Sequence, residues 1–242
     1  MNNNLNKKNS IEIFNKAIER IMNDHPIEIT MKNKNQLGYE IEKRLGIDKN
    51  ELPIADFLGI EIKCVYERSI YPIKLFSSEF DGPNVMEAKV IFDKYHDVKG
   101  TKNTFNHSFY GNKNTKLSNS IYGRLFVDKV MKKIHLLFFD IYNCCIENAY
   151  WDFDTLYNHV NNKLSVLAII YYKYEYNNDR KYCRITRYKL LKLKDQNTFI
   201  NLIESGIIAI SFSIEKNNNS IHNHGTSFSI KKENITKLFD IQ

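Results

Sequence analysis

Along SIEIFNKAIERIMN, residues 10–23, Ile11, Phe14, Ala17, Ile18 and Ile21 recur at three- and four-residue intervals behind Ser10, a residue type that caps helix starts. That spacing predicts an amphipathic helix. A second is expected over NQLGYEIEKRLG, residues 35–46, where Leu37, Ile41 and Leu45 share one face and Gly46 suits the stop. From Phe57 to Val65 the period falls to two, the mark of a half-covered strand, and YPIKLFSS at 71–78 reads as another. Residues 97–124, DVKGTKNTFNHSFYGNKNTKLSNSIYGR, show no clear period and are expected as a long polar, basic loop.

Further on, LFVDKVMKKIHLLFFDIY predicts two strands about a short turn, and DTLYNHVNNKL a helix that Asp152 or Asp154 could cap. SVLAIIYYKYEY and RKYCRITRYKLL form a strand pair split by NND. QNTFINLIESG is a helix closed by Gly206, followed by strands at IIAISFSIE and GTSFSI and a short helix at ENITKLF. With 9 Gly, 4 Pro and no break in composition, neither linker nor repeat is expected. The pattern describes one mixed α/β domain over residues 1–242, bilobed around a cleft.

Composition changes this picture little. A chain of 242 residues that is 43% hydrophobic can bury an ordinary core, which excludes global disorder. The net charge of +7 favours a polyanionic partner, although the abundance of Asn, Lys and Ile gives the lysine excess a second source in codon usage. The opening MNNNLNKKNS lacks a secretory apolar run, and stretches such as VLAIIYY are too short for a membrane span, so a cytoplasmic protein without membrane contact is expected. The four cysteines form no C-x-x-C pair and are expected as buried thiols in a reducing compartment, without zinc.

Chemistry concentrates in IADFLGIEIKC, residues 54–64. On a strand Glu61 and Lys63 project together while Ile60 and Ile62 pack inward, and Asp56, five residues before Glu61, can fold back beside it. Two carboxylates converging with one backbone carbonyl make a hard oxygen site for Mg²⁺. A lysine beside them can hold the attacking water and the scissile phosphate, the arrangement needed for metal-assisted phosphodiester hydrolysis. The same letters also fit a charged, solvated strand face. Against that, Ile60, Ile62 and Val65 surround the acid with apolar neighbours, where it needs a partner. Glu42, beside the stripe of the second helix, either faces the same cleft or is a surface glutamate next to Lys43.

Two other stretches invite a nucleic-acid reading. In HNHGTSFSI, residues 222–230, His222 and His224 alternate onto one face, and each imidazole N–H can donate to guanine O6 or N7. An H-x-H metal pair, which lacks a nearby third ligand, and a solvated turn are the competing readings. In the 97–124 loop, Lys99, Lys102, Lys113, Lys116 and Arg124 stand among Phe105, Phe109 and Tyr110. Such a segment suits closure over DNA phosphates, or is simply a surface loop.

The stretch LGYEIEKRLGIDKNELPIADFLGIEIK resembles the core of the MutH-like and MvaI/BcnI-like restriction endonucleases, a branch of the PD-(D/E)xK nucleases. AYWDFDTLYNHVNNKLSVLAII, ESGIIAISFSI and HNHGTSFSI extend the MvaI-like resemblance over roughly residues 36–240. It implies a mixed central sheet flanked by helices around a DNA cleft, with Glu42, Asp56, Glu61 and Lys63 as the catalytic set and Asp56, Glu61 and the Ile62 carbonyl on Mg²⁺. Ala55 stands where the family usually has proline. The HGT element implies His222, His224 and Thr226 as base readers, with Lys113, Lys116 and Arg124 on DNA, and Ser229 replaces an arginine of MvaI-like enzymes. The implied lobes are a catalytic one over about 1–95 plus 121–175 and a recognition one over about 97–120 and 176–242. The implied activity is that of a type II restriction endonuclease cutting double-stranded DNA, as a monomer that nicks one strand after the other, paired with a protective DNA methyltransferase. A MutH-like nicking repair enzyme and a non-catalytic nucleic-acid-binding module are the alternatives.

Overall fold

The computed structural model describes residues 2–30, 36–47, 55–82, 88–99, 102–117, 120–217 and 220–242. In chain order these form α1 (Asn2–Asn23), β1 (Ile27–Glu28), α2 (Gln36–Arg44), β2 (Glu61–Tyr66), β3 (Ile73–Ser77), α3 (Ala88–Tyr95), β4 (Asp97–Lys99), β5 (Lys102–Phe109) and β6 (Thr115–Lys116). Then follow β7 (Ile121–Asp128), β8 (Lys133–Asp140), β9 (Cys145–Asp152), α4 (Phe153–Leu164), β10 (Val166–Asn177), β11 (Arg180–Leu193) and α5 (Gln196–Glu204). The chain closes with β12 (Ile208–Asn217), β13 (Ser220–Asn223), β14 (Ser227–Ile230), α6 (Ile235–Leu238) and β15 (Phe239–Ile241).

Two compact units divide these elements. The first comprises Met1–Ile70, His159–Leu193 and Phe239–Gln242. Its mixed sheet runs β1-β11-β10-β2, with β15 also on β11. The long hairpin β10–β11 turns at Asn178 and Asp179, both at positive φ (47° and 62°), the backbone that a tight two-residue hairpin demands. β2 runs parallel to β10 and forms the free end of the path. The stripes expected from the sequence are the ones that bury: Phe14, Ile18 and Ile21 from α1 and Leu37 and Ile41 from α2 join Ile60, Ile62, Ala168 and Ile170 in one core. Because β10 is buried from Val166 to Tyr171, β2 is held along a rigid neighbour.

The second unit, Tyr71–Asn158 and Lys194–Leu238, is built on antiparallel sheets. One runs β3-β14-β12-β5-β4 with β13 on β12, the other β6-β7-β8-β9. Its core is aromatic, with Phe76 stacked on Phe228 at 4.5 Å and Trp151 edge-on to Phe228 at 5.6 Å. Asp195 caps α5 by accepting from Thr198 N at 2.9 Å, and Gly206 at φ +72° ends the turn as expected.

The structure corrects the expected loop at 97–124. β5 lies in register with β12, placing Phe105 opposite Ile214 and Phe109 opposite Ile210. Both phenylalanines are fully buried, so they are core residues and not aromatics offered to DNA. The strand period was hidden because the positions between them are polar residues that a sheet also accepts, such as Ser108, whose hydroxyl shares a 2.7 Å hydrogen bond with that of Ser211. β9 and α3 were likewise not anticipated. The units also part at different places from the expected lobes, since 71–95 and 121–158 fall in the second unit and 176–193 in the first. Of the cysteines, Cys183 is buried and Cys64 half-buried, but Cys144 and Cys145 are exposed at the β8–β9 turn. Among the described residues no helix is long and apolar enough to cross a membrane.

Gly123 on β7 marks how tightly the second unit packs. A Cβ added there would lie 2.3 Å from the Phe109 ring and 3.0 Å from that of Phe138. Gly123→Ala is expected to destabilise by about 1–3 kcal/mol through overpacking. Urea denaturation should show a lower midpoint at unchanged slope. An unaltered midpoint would show that the two rings have room to move.

Candidate active site

Between Asp56 and Glu61 the chain reverses in the smallest space a hairpin allows. Phe57 and Ile60 exchange both backbone hydrogen bonds, Phe57 N to Ile60 O at 2.9 Å and the return at 2.8 Å. The residues between them, Leu58 and Gly59, both sit at positive φ, 48° and 83°. This is the two-residue turn in which glycine takes the second place freely and leucine does so at a cost. It converts a five-residue separation into a juxtaposition: Asp56 Oδ2 accepts from Ile62 N at 2.8 Å. Within a strand the N–H and C=O of one residue point to the same side. The Ile62 carbonyl therefore faces the Asp56 side of β2, away from β10.

Glu61 is only 1% exposed. Its Oε1 accepts from Lys63 Nζ at 2.5 Å and has Lys163 Nζ, from α4, at 3.7 Å. Its Oε2 is buried with no hydrogen-bond partner among the described residues. Burial pushes the Glu61 carboxyl above the usual carboxylate range; Lys63 opposes that rise and Asp56 adds to it. Glu42, projecting from α2, is also raised, first by burial and then by the charge of Asp56, with Lys63 again opposing. Asp56, Glu61, Lys63 and Glu42 thus share one electrostatic field, with more negative charge than its lysines comfortably hold. Among the described residues no group of three or more His, Cys, Asp or Glu is arranged to hold a metal. A hard cation here would rest on Asp56, Glu61 and the main chain, and the orphaned Glu61 oxygen fits that demand.

The residues expected to meet DNA all lie in the second unit. His222 and His224 are exposed, with their rings edge-on at 4.5 Å, and His224 Nε2 lies 3.3 Å from Glu215 Oε1. Thr226 is different. It is 1% exposed, its N–H donates to Glu79 Oε1 and its hydroxyl to Glu79 Oε2, each at 3.1 Å. In this structure it braces the turn, which Gly225 enters at φ +83°, and shows no surface to a base edge. Lys113 lies over the Tyr110 ring at 4.0 Å, Arg124 stands 5.6 Å from the Phe139 ring, and Lys116 is exposed on β6. The side chains of Lys99 and Lys102 lie outside the described residues. Reasoning from sequence missed Lys163 and Glu79, because each meets its partner across a long stretch of chain and sits in no motif with it.

The profile of the MvaI/BcnI restriction endonuclease family matches residues 15–239, almost the whole chain. The chain belongs to the MvaI/BcnI restriction endonuclease family. Its fold is that of restriction endonuclease MvaI: the MvaI–cognate DNA substrate complex superposes with a TM-score of 0.84 at 23% identity, over 96% of each chain. MvaI in the absence of DNA matches at a TM-score of 0.61 and 22% identity, again over 96% of both chains. No curated protein matches.

For this MvaI/BcnI family member the crowding of acids has a consequence for stability. A carboxyl raised on folding stabilises the native state below its unfolded pKa, and that contribution is lost as pH rises through the folded value. Glu42→Gln should therefore melt higher than wild type at neutral pH in EDTA, with the gap closing as pH falls toward 4.5, the ordinary value for Glu. Thermal unfolding across that range decides it, and a gap independent of pH would detach the effect from the carboxylate.

Proposed function

We propose that this restriction endonuclease is a type II site-specific deoxyribonuclease that hydrolyses phosphodiesters of double-stranded DNA with Mg²⁺ and leaves a 5′-phosphate. The observation that carries the reading is Glu61, a buried carboxylate with one oxygen on Lys63 and the other without a hydrogen-bond partner among the described residues. Asp56, Glu61 and the Ile62 carbonyl would hold the ion. When bound, Mg²⁺ lowers the pKa of water and offsets charge developing on phosphorus. Lys63, 27% exposed at its side chain, reaches out of the same strand to orient the water and the scissile phosphate. Glu42 assists from α2, where its charge is already coupled to Asp56 and Lys63. Asp56 also fixes the start of β2 through Ile62 N, so that the ligands are placed before any substrate arrives.

Reading is assigned to the second unit. His222 and His224 present imidazole N–H donors from the end of β13, while Thr226 and Glu79 hold the turn behind them. Lys113, Lys116 and Arg124 supply charge for phosphates. The solved complex of MvaI with its cognate DNA substrate supports double-stranded DNA as the partner. The enzyme acts as a monomer, nicking the strands in turn, and works beside a methyltransferase that protects the same site.

Asp56→Asn and Lys63→Ala should each lower cleavage of plasmid DNA at least a thousandfold while leaving binding in Ca²⁺ within a few-fold, since both groups act on the phosphate and not on the bases. Cutting at near wild-type rate by either variant would falsify the assignment of this site.

His224→Ala tests the other unit. Loss of a base-edge donor is expected to cost about 1–3 kcal/mol on the preferred site and much less on scrambled duplex, whereas Lys113→Ala should weaken both alike. Competitive binding in Ca²⁺ measures the ratio. A ratio unchanged by His224→Ala would move base reading elsewhere.

A further inference from the structure

The face of the first unit's sheet that carries Glu61 and Lys63 continues beyond the acidic site. Along the parallel β2–β10 ladder Lys63 lies beside Ile169 and Val65 beside Tyr171, and β11 extends these rows with Lys189 opposite Ile169 and Arg187 opposite Tyr171. One row further, Lys173 faces Arg184. Arg184 and Arg187 are three residues apart, a spacing that sends side chains to opposite faces of a regular strand. A bulge prevents it. The register shifts between Tyr171 and Tyr172, so Thr186 is the extra residue, Ile185 turns into the core, and both arginines stay on the Lys63 side.

The groups on this strip are held in place and still reachable. Arg187 lies over the Tyr171 ring at 3.9 Å with Nε 3.6 Å from Glu67 Oε1, and the same oxygen accepts from the Thr186 hydroxyl at 2.6 Å. Arg184 Nε donates to both oxygens of Glu175 at 2.8 and 3.0 Å, and Lys173 Nζ stands 3.2 Å from that carboxylate. The side chains of Lys173, Arg184 and Arg187 are 50%, 42% and 52% exposed. Ion pairs so open to water add little to stability, whereas a guanidinium fixed by a ring and a carboxylate is pre-set for a phosphate, with five N–H donors to share. From the Lys63 row to the Lys173 row the face runs about 13 Å at roughly 3.3 Å per residue, and each strand of DNA carries a charge about every 3.4 Å of helix axis. Several phosphates fit along it. We infer that this face is a phosphate track, on which Arg184 and Arg187, with Lys173 and Lys189, hold the DNA backbone next to the scissile phosphate. The inference rests on the catalytic reading of Asp56, Glu61 and Lys63 given above.

The test is binding in Ca²⁺ to a duplex carrying the site that the wild type cuts, and to a scrambled duplex. Arg187→Gln and the double variant Arg184→Gln/Arg187→Gln should weaken both complexes alike, by about fivefold per charge removed at 0.1 M salt, and flatten the slope of log K against log salt by about one per charge. Lys173→Gln, on an exposed side chain, should flatten it by the same step even if an arginine variant melts lower. Ethylation of single phosphates should interfere with wild-type binding beside the cut, and that interference should vanish in the double variant. A slope unchanged in all three variants would overturn the inference. So would a loss confined to the cognate duplex, which would make these side chains base readers, and so would interference lost only at phosphates far from the cut. If Lys63→Ala cuts normally while the slope and the interference change as expected, the catalytic reading falls and the track stands; if Lys63→Ala is inactive and the slope is unchanged, only the track falls.

Discussion

A carboxylate that is 1% exposed must have positive charge beside it, and the first unit is arranged around meeting that need for Glu61. Lys63 comes from the same strand two residues on, and Lys163 comes from α4. Both approach one oxygen, and the other is buried without a hydrogen-bond partner among the described residues. An orphaned buried acceptor is costly in a folded protein unless something else visits it. The surrounding architecture holds this arrangement in place: β10, buried along its first half, fixes β2 from one side, and the tight turn at Leu58–Gly59 brings Asp56 onto Ile62 N from the other. Stability is yielded locally, in Glu42 and Glu61 pushed above the ordinary carboxylate range, at the site proposed to hold a cation.

Helices and strands whose signal is carried by apolar spacing were legible before the structure. α1, α2, α5 and the β10–β11 pair follow from residues such as Phe14, Ile18, Leu37 and Ile41, whose period matches the face they bury. What escaped reading had its period masked by chemistry. In β5 the inward positions Phe105 and Phe109 are separated by Asn, His and Ser, which look like loop residues until Ser108 is seen bonded across to Ser211. The site divides in the same way. Asp56, Glu61 and Lys63 lie within one short motif, so the turn and the pleat bring them together as local geometry demands. Lys163 and Glu79 act across long chain separations that no spacing rule encodes. Thr226 shows the converse: its place in a motif suggests a base contact, while in this structure it is buried and its N–H and hydroxyl both donate to Glu79.

The proposed division of labour follows the two units. Every acidic group of the candidate site belongs to the first, and every residue considered for base or phosphate contact in the HNHGT turn and on β6 and β7 belongs to the second. The second unit supports the exposed turn on an aromatic core and antiparallel pairing, while in the mixed sheet of the first β2 is, among the described residues, the end strand. Membership of the MvaI/BcnI family gives this separation a functional sense, because a site-specific endonuclease must both select a sequence and act on a backbone that is the same everywhere.

The central claim is that the orphaned oxygen of Glu61 belongs to a metal site. Binding of Mn²⁺ in the presence of a duplex, followed by the loss of the free-ion electron paramagnetic resonance signal and corrected for DNA alone, tests it most directly. The comparison is between the Lys63→Ala protein, expected to hold DNA uncut, and the same protein carrying Glu61→Gln, which preserves shape and removes the charge. The account predicts uptake of Mn²⁺ by the first and its loss, by at least tenfold in affinity, in the second. Equal uptake by both would contradict it.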